Sequence, residues 1–129
     1  MPRRENPGFD EDVVRFVLKD LRTVWTLELL LLMRGGPEKI WTAAALTGEL
    51  RASLPMVEDI LRRLEILRLI GREGEDWTYR PATSDLDSLC ARAESAYRQK
   101  PFAMISMIGR GESVLRDLAN AFRLRDEAP

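Results

Sequence analysis

The sequence predicts a mainly α-helical protein with one small β-hairpin. Apolar residues recur at helical spacing along most of the chain, which indicates amphipathic helices that each bury one face. Two short β-compatible runs, joined only by Gly-Glu-Asp, indicate a hairpin near the middle. A length of 129 residues suits a single domain with one core, so residues 1–129 are expected to fold as one unit.

Two helices are predicted before residue 35. The first spans residues 9–21, where three acidic residues at positions 10–12 favour a helix N-terminus. The second begins after a Thr23 cap and ends at Arg34, because the following Gly-Gly-Pro tolerates left-handed geometry and then cannot continue a helix.

Two further helices are predicted before the hairpin. A short β-prone piece at residues 39–41 precedes a compact helix capped by Thr42. Ser53 caps the next helix, Pro55–Arg68, whose proline lies in the first turn, where its missing amide hydrogen is harmless. This helix repeats its apolar residues at i, i+3, i+4 and i+7, which predicts one buried face: Val57, Ile60, Leu61 and Leu64. The opposite face is predicted to carry Pro55, Asp59, Arg62, Arg63 and Ile66.

The hairpin is expected to pair residues 69–73 with residues 77–80, with Gly74–Asp76 at its tip. The order helix, short strand, helix, helix, hairpin is typical of a winged helix-turn-helix, in which the hairpin is the wing. The predicted fold class is therefore mainly α with a small β-hairpin wing. A winged helix-turn-helix core over residues 23–82 is flanked by the N-terminal helix and by C-terminal helices.

The C-terminal extension is predicted over residues 84–125. Ser84 and Asp87 suit a capping box at its start, and Pro101 should break the first helix. A short apolar helix at residues 101–108, a turn at the Gly-Arg-Gly of residues 109–111, and an amphipathic helix over residues 112–125 complete it.

Residue usage argues against several classes of site. The chain has no histidine and one cysteine, Cys90, so neither an internal disulfide nor a cysteine metal cluster is possible. Cys90 lies on an apolar stripe, which favours a buried small hydrophobe over a nucleophile. No nucleophile, base and orienting group can be named together, so we expect no enzyme, no metal site and no cofactor. Packing is favoured over a ligand cage for the three tryptophans, Trp25, Trp41 and Trp77.

The sequence also predicts a cytoplasmic protein without a membrane segment. The longest apolar run, residues 24–33, contains Glu28 and falls short of the roughly twenty residues that span a bilayer. The first residues lack the layout of a signal peptide, because acidic residues follow the arginines at once.

The stretches VWTLELLLLMRGGPEKIWTAAALTGELRAS and PMVEDILRRLEILRLIGREGEDWTYRP cover Val24–Pro81. They resemble the winged helix-turn-helix regulators, broadly those of the multiple-antibiotic-resistance-regulator superfamily. The whole chain also resembles a small group of uncharacterised bacterial winged-helix proteins. The resemblance implies a transcriptional regulator whose third helix enters the major groove of duplex DNA while the wing lies on the backbone or in the minor groove. The DNA-binding residues that it implies are Ser53, Pro55, Met56, Asp59, Arg62, Arg63, Arg72 and Arg80.

Arg62 and Arg63 are the best candidates for DNA contact, because arginine binds guanine or phosphate through two parallel hydrogen bonds. Residues 20–80, however, hold nine basic and ten acidic side chains, so a basic footprint is missing. One alternative is that both arginines belong to a solvated face, paired with Glu58 and Asp59. At the level of function, the alternative is a winged helix that binds a partner protein and no DNA.

A homodimer built by the terminal helices is expected from the apolar residues outside the middle of the chain. These are Val13, Phe16, Val17 and Leu21 at one end and Phe102, Ile105, Ile108, Leu115, Leu118 and Phe122 at the other. Met104 and Met107 are interpreted as interface residues rather than as core filling. The alternative is that both ends fold back and complete a monomeric core.

Overall fold

The computed structural model describes residues 8–111 and begins with a helix of two kinds. Helix α1 spans Glu11–Arg15, and the side chain of Asp10 caps it by accepting from the amide of Asp12 over 2.8 Å. It continues directly into a π-helical segment, Phe16–Leu21. The helix predicted over residues 9–21 thus starts two residues later, at Glu11, and its second half is π-helical instead of α-helical. The wider π turns bring Leu21, five residues after Phe16, onto the same buried side.

Each of the next three helices begins directly after its predicted cap. They are α2, Val24–Arg34, α3, Ala43–Leu50, and α4, Leu54–Ile66. Their predicted caps are confirmed, since the hydroxyls of Thr23, Thr42 and Ser53 each accept from the backbone N–H three residues later. Helix α4 starts one residue earlier and ends two residues earlier than predicted. It ends before Arg68, which has a left-handed φ of 63°.

An antiparallel hairpin follows α4. Strand β1, Ile70–Glu73, pairs with β2, Asp76–Tyr79, in a register that places Ile70 opposite Tyr79 and Glu73 opposite Asp76. The connection therefore has two residues, Gly74 and Glu75. The predicted three-residue tip was wrong, because Asp76 already pairs as the first residue of β2. Gly74 has a φ of 66°, which glycine adopts without steric cost at the first position of such a turn.

Trp41 adds one bridge to this hairpin. Its backbone exchanges two hydrogen bonds with Trp77, at 2.7 and 2.9 Å, so residues 39–41 contribute a single paired residue rather than a strand. Both indole rings are buried, as predicted, with exposed fractions of 5% and 6%. Trp25 differs from them, because 41% of its surface is exposed at the start of α2.

Within the described residues, two helices follow the hairpin. Helix α5 spans Ser84–Gln99, and its cap is Thr83 rather than the predicted Ser84, since Thr83 Oγ1 accepts from the amide of Leu86 over 3.1 Å. Lys100 separates it from α6, which occupies residues 101–111. The predicted turn at residues 109–111 was wrong, because these residues are helical. Gly111 ends this described part beside the side chain of Leu18. The helix predicted at residues 112–125 lies outside the described residues.

The terminal helices pack onto the same core as α2, α3 and α4. Their buried members are Val13, Phe16, Val17, Leu21, Met104, Met107 and Ile108. These side chains cannot form the predicted dimer interface, and the interface interpretation of Met104 and Met107 was wrong. For these residues the alternative holds, in which the ends fold back on the chain. Phe102 and Ile105 remain exposed, at 84% and 42%, while Leu115, Leu118 and Phe122 lie outside the described range.

A partly buried polar network attaches α5 to the rest of the chain. Arg34, at the end of α2, binds Oε1 of Glu94 through Nη1 at 2.7 Å, and its Nε lies 3.9 Å from Oδ1 of Asp87. Tyr97 of α5 donates to the carboxylate of Glu28 on α2. None of the helices within residues 8–111 is long and apolar enough to cross a membrane.

Candidate nucleic-acid interface

Helix α4 carries the candidate reading face. Val57, Ile60, Leu61 and Leu64 point into the core, and the opposite face is exposed along Pro55, Asp59, Arg62 and Ile66. The hairpin borders one edge of this face, where Arg72 meets Glu65. The end of the π-helical segment borders the other edge, where Arg63 meets Asp20. An exposed helix surface therefore lies between two flanking elements.

Arg62 projects from the middle of the outer face. Its guanidinium is paired with the carboxylate of Asp59, one turn earlier on the same helix. The two side chains are 61% and 73% exposed, and ion pairs at that exposure contribute little to stability because water screens them. This pairing is the one that the solvated-face alternative predicts. A phosphate could replace Asp59 at small cost.

Arg63 has a different role from its neighbour. Its Nε donates to the backbone oxygen of Asp20 over 2.7 Å, and its Nη2 lies 3.4 Å from that of Lys19. These carbonyls end the π-helical segment, where helix geometry leaves oxygen atoms without partners. Arg63 therefore fastens α4 to the N-terminal helix, a contact that spans 43 residues of sequence.

The hairpin arginines also have partners within the chain. Arg72 lies 3.3 Å from Glu65 and stacks 4.0 Å above the centre of the Trp77 ring. Arg80 pairs with Glu73 across the hairpin, and its stem covers Gly71. Both side chains remain about half exposed, so each guanidinium has an open side toward solvent.

The remaining predicted residues occupy the start of α4. Ser53 uses its hydroxyl to cap the helix at the amide of Met56, over 3.3 Å. Pro55 and Met56 are exposed in the first turn, and Asp59 is held by Arg62. The structure thus places six of the eight predicted residues along α4 and its cap, and the other two on the hairpin. Each of the four arginines is balanced by a carboxylate or a carbonyl, so the surface has no strong basic character.

Two cations that the sequence analysis did not select lie at the edge of this surface. Lys19 and Arg22 belong to the π-helical segment and the turn after it, and both are exposed. Arg22 Nε donates to the carbonyl of Lys19 over 3.1 Å, the same oxygen that Arg63 approaches. The predicted Thr23 cap places Arg22 in a turn, but contact with α4 depends on tertiary packing that no local pattern reveals.

A groove adjoins the same edge of α4. It encloses about 590 Å³ between the turn at Arg22, the start of α2, and α4. Leu21, Trp25, Met56 and Ile60 give it a mostly apolar lining, with Arg63 at the rim. A volume of a few hundred cubic ångströms is typical of sites for small ligands or for side chains of a partner protein.

Three ionisable side chains of the described residues, Tyr79, Cys90 and Tyr97, have raised pKa values. Burial raises the pKa of the Cys90 thiol to about 11, and burial together with the Glu28 carboxylate raises that of Tyr97 to about 12. Burial and the hydrogen bond to Asp87 also raise the pKa of Tyr79. All three groups are held in their protonated forms, the opposite of what an activated nucleophile requires. Within residues 8–111, no group of three or more Asp, Glu or Cys side chains could hold a metal ion.

Comparisons with protein-family models, with curated proteins and with solved structures find no match to this chain.

Proposed function

We propose that the protein is a DNA-binding transcriptional regulator of the winged-helix type. Helix α4 is the reading helix, and the hairpin β1–β2 is the wing. The observation that carries the proposal is the outer face of α4, which is exposed over its length and bordered on both edges by elements carrying arginine. The major groove of B-DNA is about 12 Å wide and admits one α-helix, so both flanking elements face a phosphate backbone when α4 occupies it.

Arg62 is the side chain best placed for base or backbone contact. Its present partner, Asp59, is exposed and on the same helix, so exchange for a guanine edge or a phosphate requires only a change of rotamer. Arg63 orients α4 through its bonds to the carbonyls of Lys19 and Asp20. Arg72 and Arg80 supply the wing with its positive charge, which Glu73 and Glu75 reduce.

The direct test is binding of the purified protein to its own upstream DNA and to random duplex, over a salt series. We expect the logarithm of the binding constant to fall linearly with the logarithm of salt concentration, with a shallow slope of about two to four because few phosphates are contacted. Binding to neither duplex at 50 mM salt would refute the proposal.

A pair of variants with opposite expected effects sharpens this test. Arg62→Ala should weaken DNA binding by roughly tenfold, the usual consequence of losing one arginine contact. Asp59→Asn should strengthen it, because the substitution frees Arg62 and removes a negative charge from the reading face. The matched control is Arg98→Ala on α5, since Arg98 is exposed and paired with Glu94 on its own helix. A loss of affinity in Arg98→Ala as large as that in Arg62→Ala would assign the changes to net charge alone.

The second candidate function is docking of a partner protein without DNA. The groove beside α4 favours it, because two of the apolar side chains that line it are exposed: Trp25 at 41% and Met56 at 38%. Under this function Trp25→Ala abolishes binding of the partner, while Arg62→Ala leaves it unchanged. Under the DNA function, Arg62→Ala weakens DNA binding, while Trp25→Ala leaves it unchanged.

We further propose that the regulator acts as a homodimer through α6 and the chain that follows it. Phe102 and Ile105 lie on the exposed side of α6, and they present apolar surface that a second copy can cover. A twofold dimer presents two reading helices to a palindromic site about one helical turn apart.

A further inference from the structure

The backbone at Arg22 has a conformation that side chains rarely adopt. Its φ and ψ are 73° and −35°, and the amide of Thr23 donates back to the carbonyl of Leu21 over 2.9 Å. This three-residue loop with positive φ is a classic γ-turn, which is rare and strained for any residue except glycine. The backbone cost of an arginine at this position directs attention to what its side chain contacts.

The side chain of Arg22 lies directly beside that of Arg63. Arg22 Nε and Arg63 Nη2 approach the same atom, the carbonyl oxygen of Lys19, at 3.1 and 3.4 Å. Among residues 8–111, neither guanidinium has a carboxylate within 4.0 Å, whereas Arg62, Arg72 and Arg80 each do. Two adjacent cations that share only a neutral carbonyl favour the arrival of an anion between them.

The remaining N–H groups of the two arginines suit an oxyanion. Arg22 commits only Nε to the Lys19 carbonyl, and Arg63 commits Nε and Nη2 to the end of the π-helical segment. Each guanidinium therefore keeps donors for a further acceptor, since arginine has five N–H groups in one plane. A tetrahedral phosphate accepts from two such groups at once.

The pair also lies at the correct edge of α4. The hairpin occupies the edge marked by Glu65, and the Arg22–Arg63 pair occupies the edge marked by Met56 and Ile60. A helix in the major groove has one phosphate backbone on each side. The wing faces one of them, and the turn at Arg22 faces the other.

We propose that Arg22 and Arg63 form a phosphate site that holds the DNA strand on the side of α4 opposite the wing. The identity of the anion as a DNA phosphate rests on the proposed function, while the oxyanion chemistry rests on the two arginines alone. The π-helical segment and the γ-turn are the local features that bring Arg22 to α4.

The variant Arg22→Gly tests the site without harming the fold, because glycine suits a φ of 73°. Its thermal midpoint should equal or exceed that of the natural sequence. Its affinity for DNA should fall about fivefold or more, by the same factor for upstream and random duplex, and the salt slope should decrease by about one. The matched control is Arg15→Ala, which removes an exposed arginine paired with Asp12 on the same N-terminal helix and should leave the affinity unchanged.

A second measurement separates this site from the DNA function. Inorganic tripolyphosphate is titrated into the protein alone, and the Nε–H resonances of Arg22, Arg63 and Arg15 are followed by nuclear magnetic resonance. We expect the resonances of Arg22 and Arg63 to shift together, at tripolyphosphate concentrations that leave the resonance of Arg15 unchanged. If the protein binds no DNA but shows these shifts, the oxyanion site stands and the DNA function fails. If it binds DNA and Arg22→Gly binds equally well, the site is refuted and the DNA function stands. Absence of both DNA binding and shifts overturns both.

Discussion

The phenolic oxygen of Tyr79 lies 2.6 Å from Oδ1 of Asp87 and donates a hydrogen bond to it. Tyr79 is the last residue of β2, and Asp87 lies in the first turn of α5, so this contact fixes the base of the hairpin against the helix that follows. The orientation of the hairpin thus depends on a residue of the helix that follows it.

Tyr79→Phe should lower the free energy of unfolding by about 1–2 kcal/mol, because the half-buried carboxylate of Asp87 loses a hydrogen-bond donor. Urea denaturation of the single variants Tyr79→Phe and Asp87→Ala and of the double variant gives the coupling energy of the pair. A double variant whose loss equals the sum of the two single losses would contradict the assigned contact.

Stability should decline in alkaline solution. Cys90 has its pKa raised from 9.0 to about 11, and Tyr97 from 10.0 to about 12, chiefly by burial. The unfolded chain loses these protons first, so it binds fewer protons than the folded chain and stability falls as pH rises above about 9. Below the unfolded pKa values both states are protonated, and the stabilisation is complete.

The contribution of Cys90 to this decline can be isolated. Urea titrations at pH 7, 9, 10 and 11 in a reducing buffer should show a steeper loss for the natural sequence than for Cys90→Ala, which cannot ionise at this position. Parallel curves for the two proteins would show that the thiol titrates equally in the folded and unfolded states.

The two neighbouring arginines of α4 should differ in their effect on stability. Arg63→Ala should lower the free energy of unfolding by about 1–2 kcal/mol, because it removes charged hydrogen bonds to the carbonyls of Asp20 and Lys19. Arg62→Ala should change it by less than about 0.5 kcal/mol, since its ion pair is exposed. Thermal or urea unfolding measures both, and a reversed ranking would be inconsistent with the structure. For the same reason, Arg62→Ala tests DNA contact without the loss of stability that accompanies Arg63→Ala.

The proposed homodimer can be tested with the full-length chain. Removal of residues after Thr83 would also remove the core residues Cys90, Ala93, Met104 and Ile108, so the full chain is needed. Light scattering at micromolar concentration should give about twice the chain mass of 14.8 kDa. The double variant Phe102→Glu and Ile105→Glu should give the monomer mass, because it places charges on exposed side chains without changing the core. A monomer for the natural sequence at all concentrations would end this proposal.

Local chemistry explains which elements could be predicted from the sequence. The caps at Thr23, Thr42 and Ser53 were predictable because each hydroxyl bonds an amide three residues away. The pairing of β1 with β2 was predictable because a short link that contains glycine joins two β-compatible runs, although the link has two residues and not the predicted three. Thr83 replaced Ser84 as a cap, an error of one residue between two side chains with the same chemistry.

Tertiary contacts explain what could not be predicted. Residues 109–111 are helical although glycine favours turns. Each glycine costs about 1 kcal/mol in a helix, and the burial of Met107 and Ile108 outweighs this cost. Arg63 and Arg22 meet across more than forty residues of sequence, so their shared carbonyl has no local signature. Helical periodicity placed the predicted DNA-binding residues of α4 together and allowed the Arg62–Asp59 pair to be anticipated, but the carbonyl partners of Arg63 were not predictable.

The π-helical segment changes the direction in which the side chains of α1 point relative to those after it. A turn that closes through five residues, as in the 2.7 Å bond from the amide of Arg22 to the carbonyl of Val17, holds one residue more than an α-helical turn. Deleting one residue between Phe16 and Leu21 would therefore restore an ordinary helix and still deliver the chain to the start of α2. A difference of one residue in this segment amounts to a change of phase, which rotates α1 about its axis relative to the core that buries Val13.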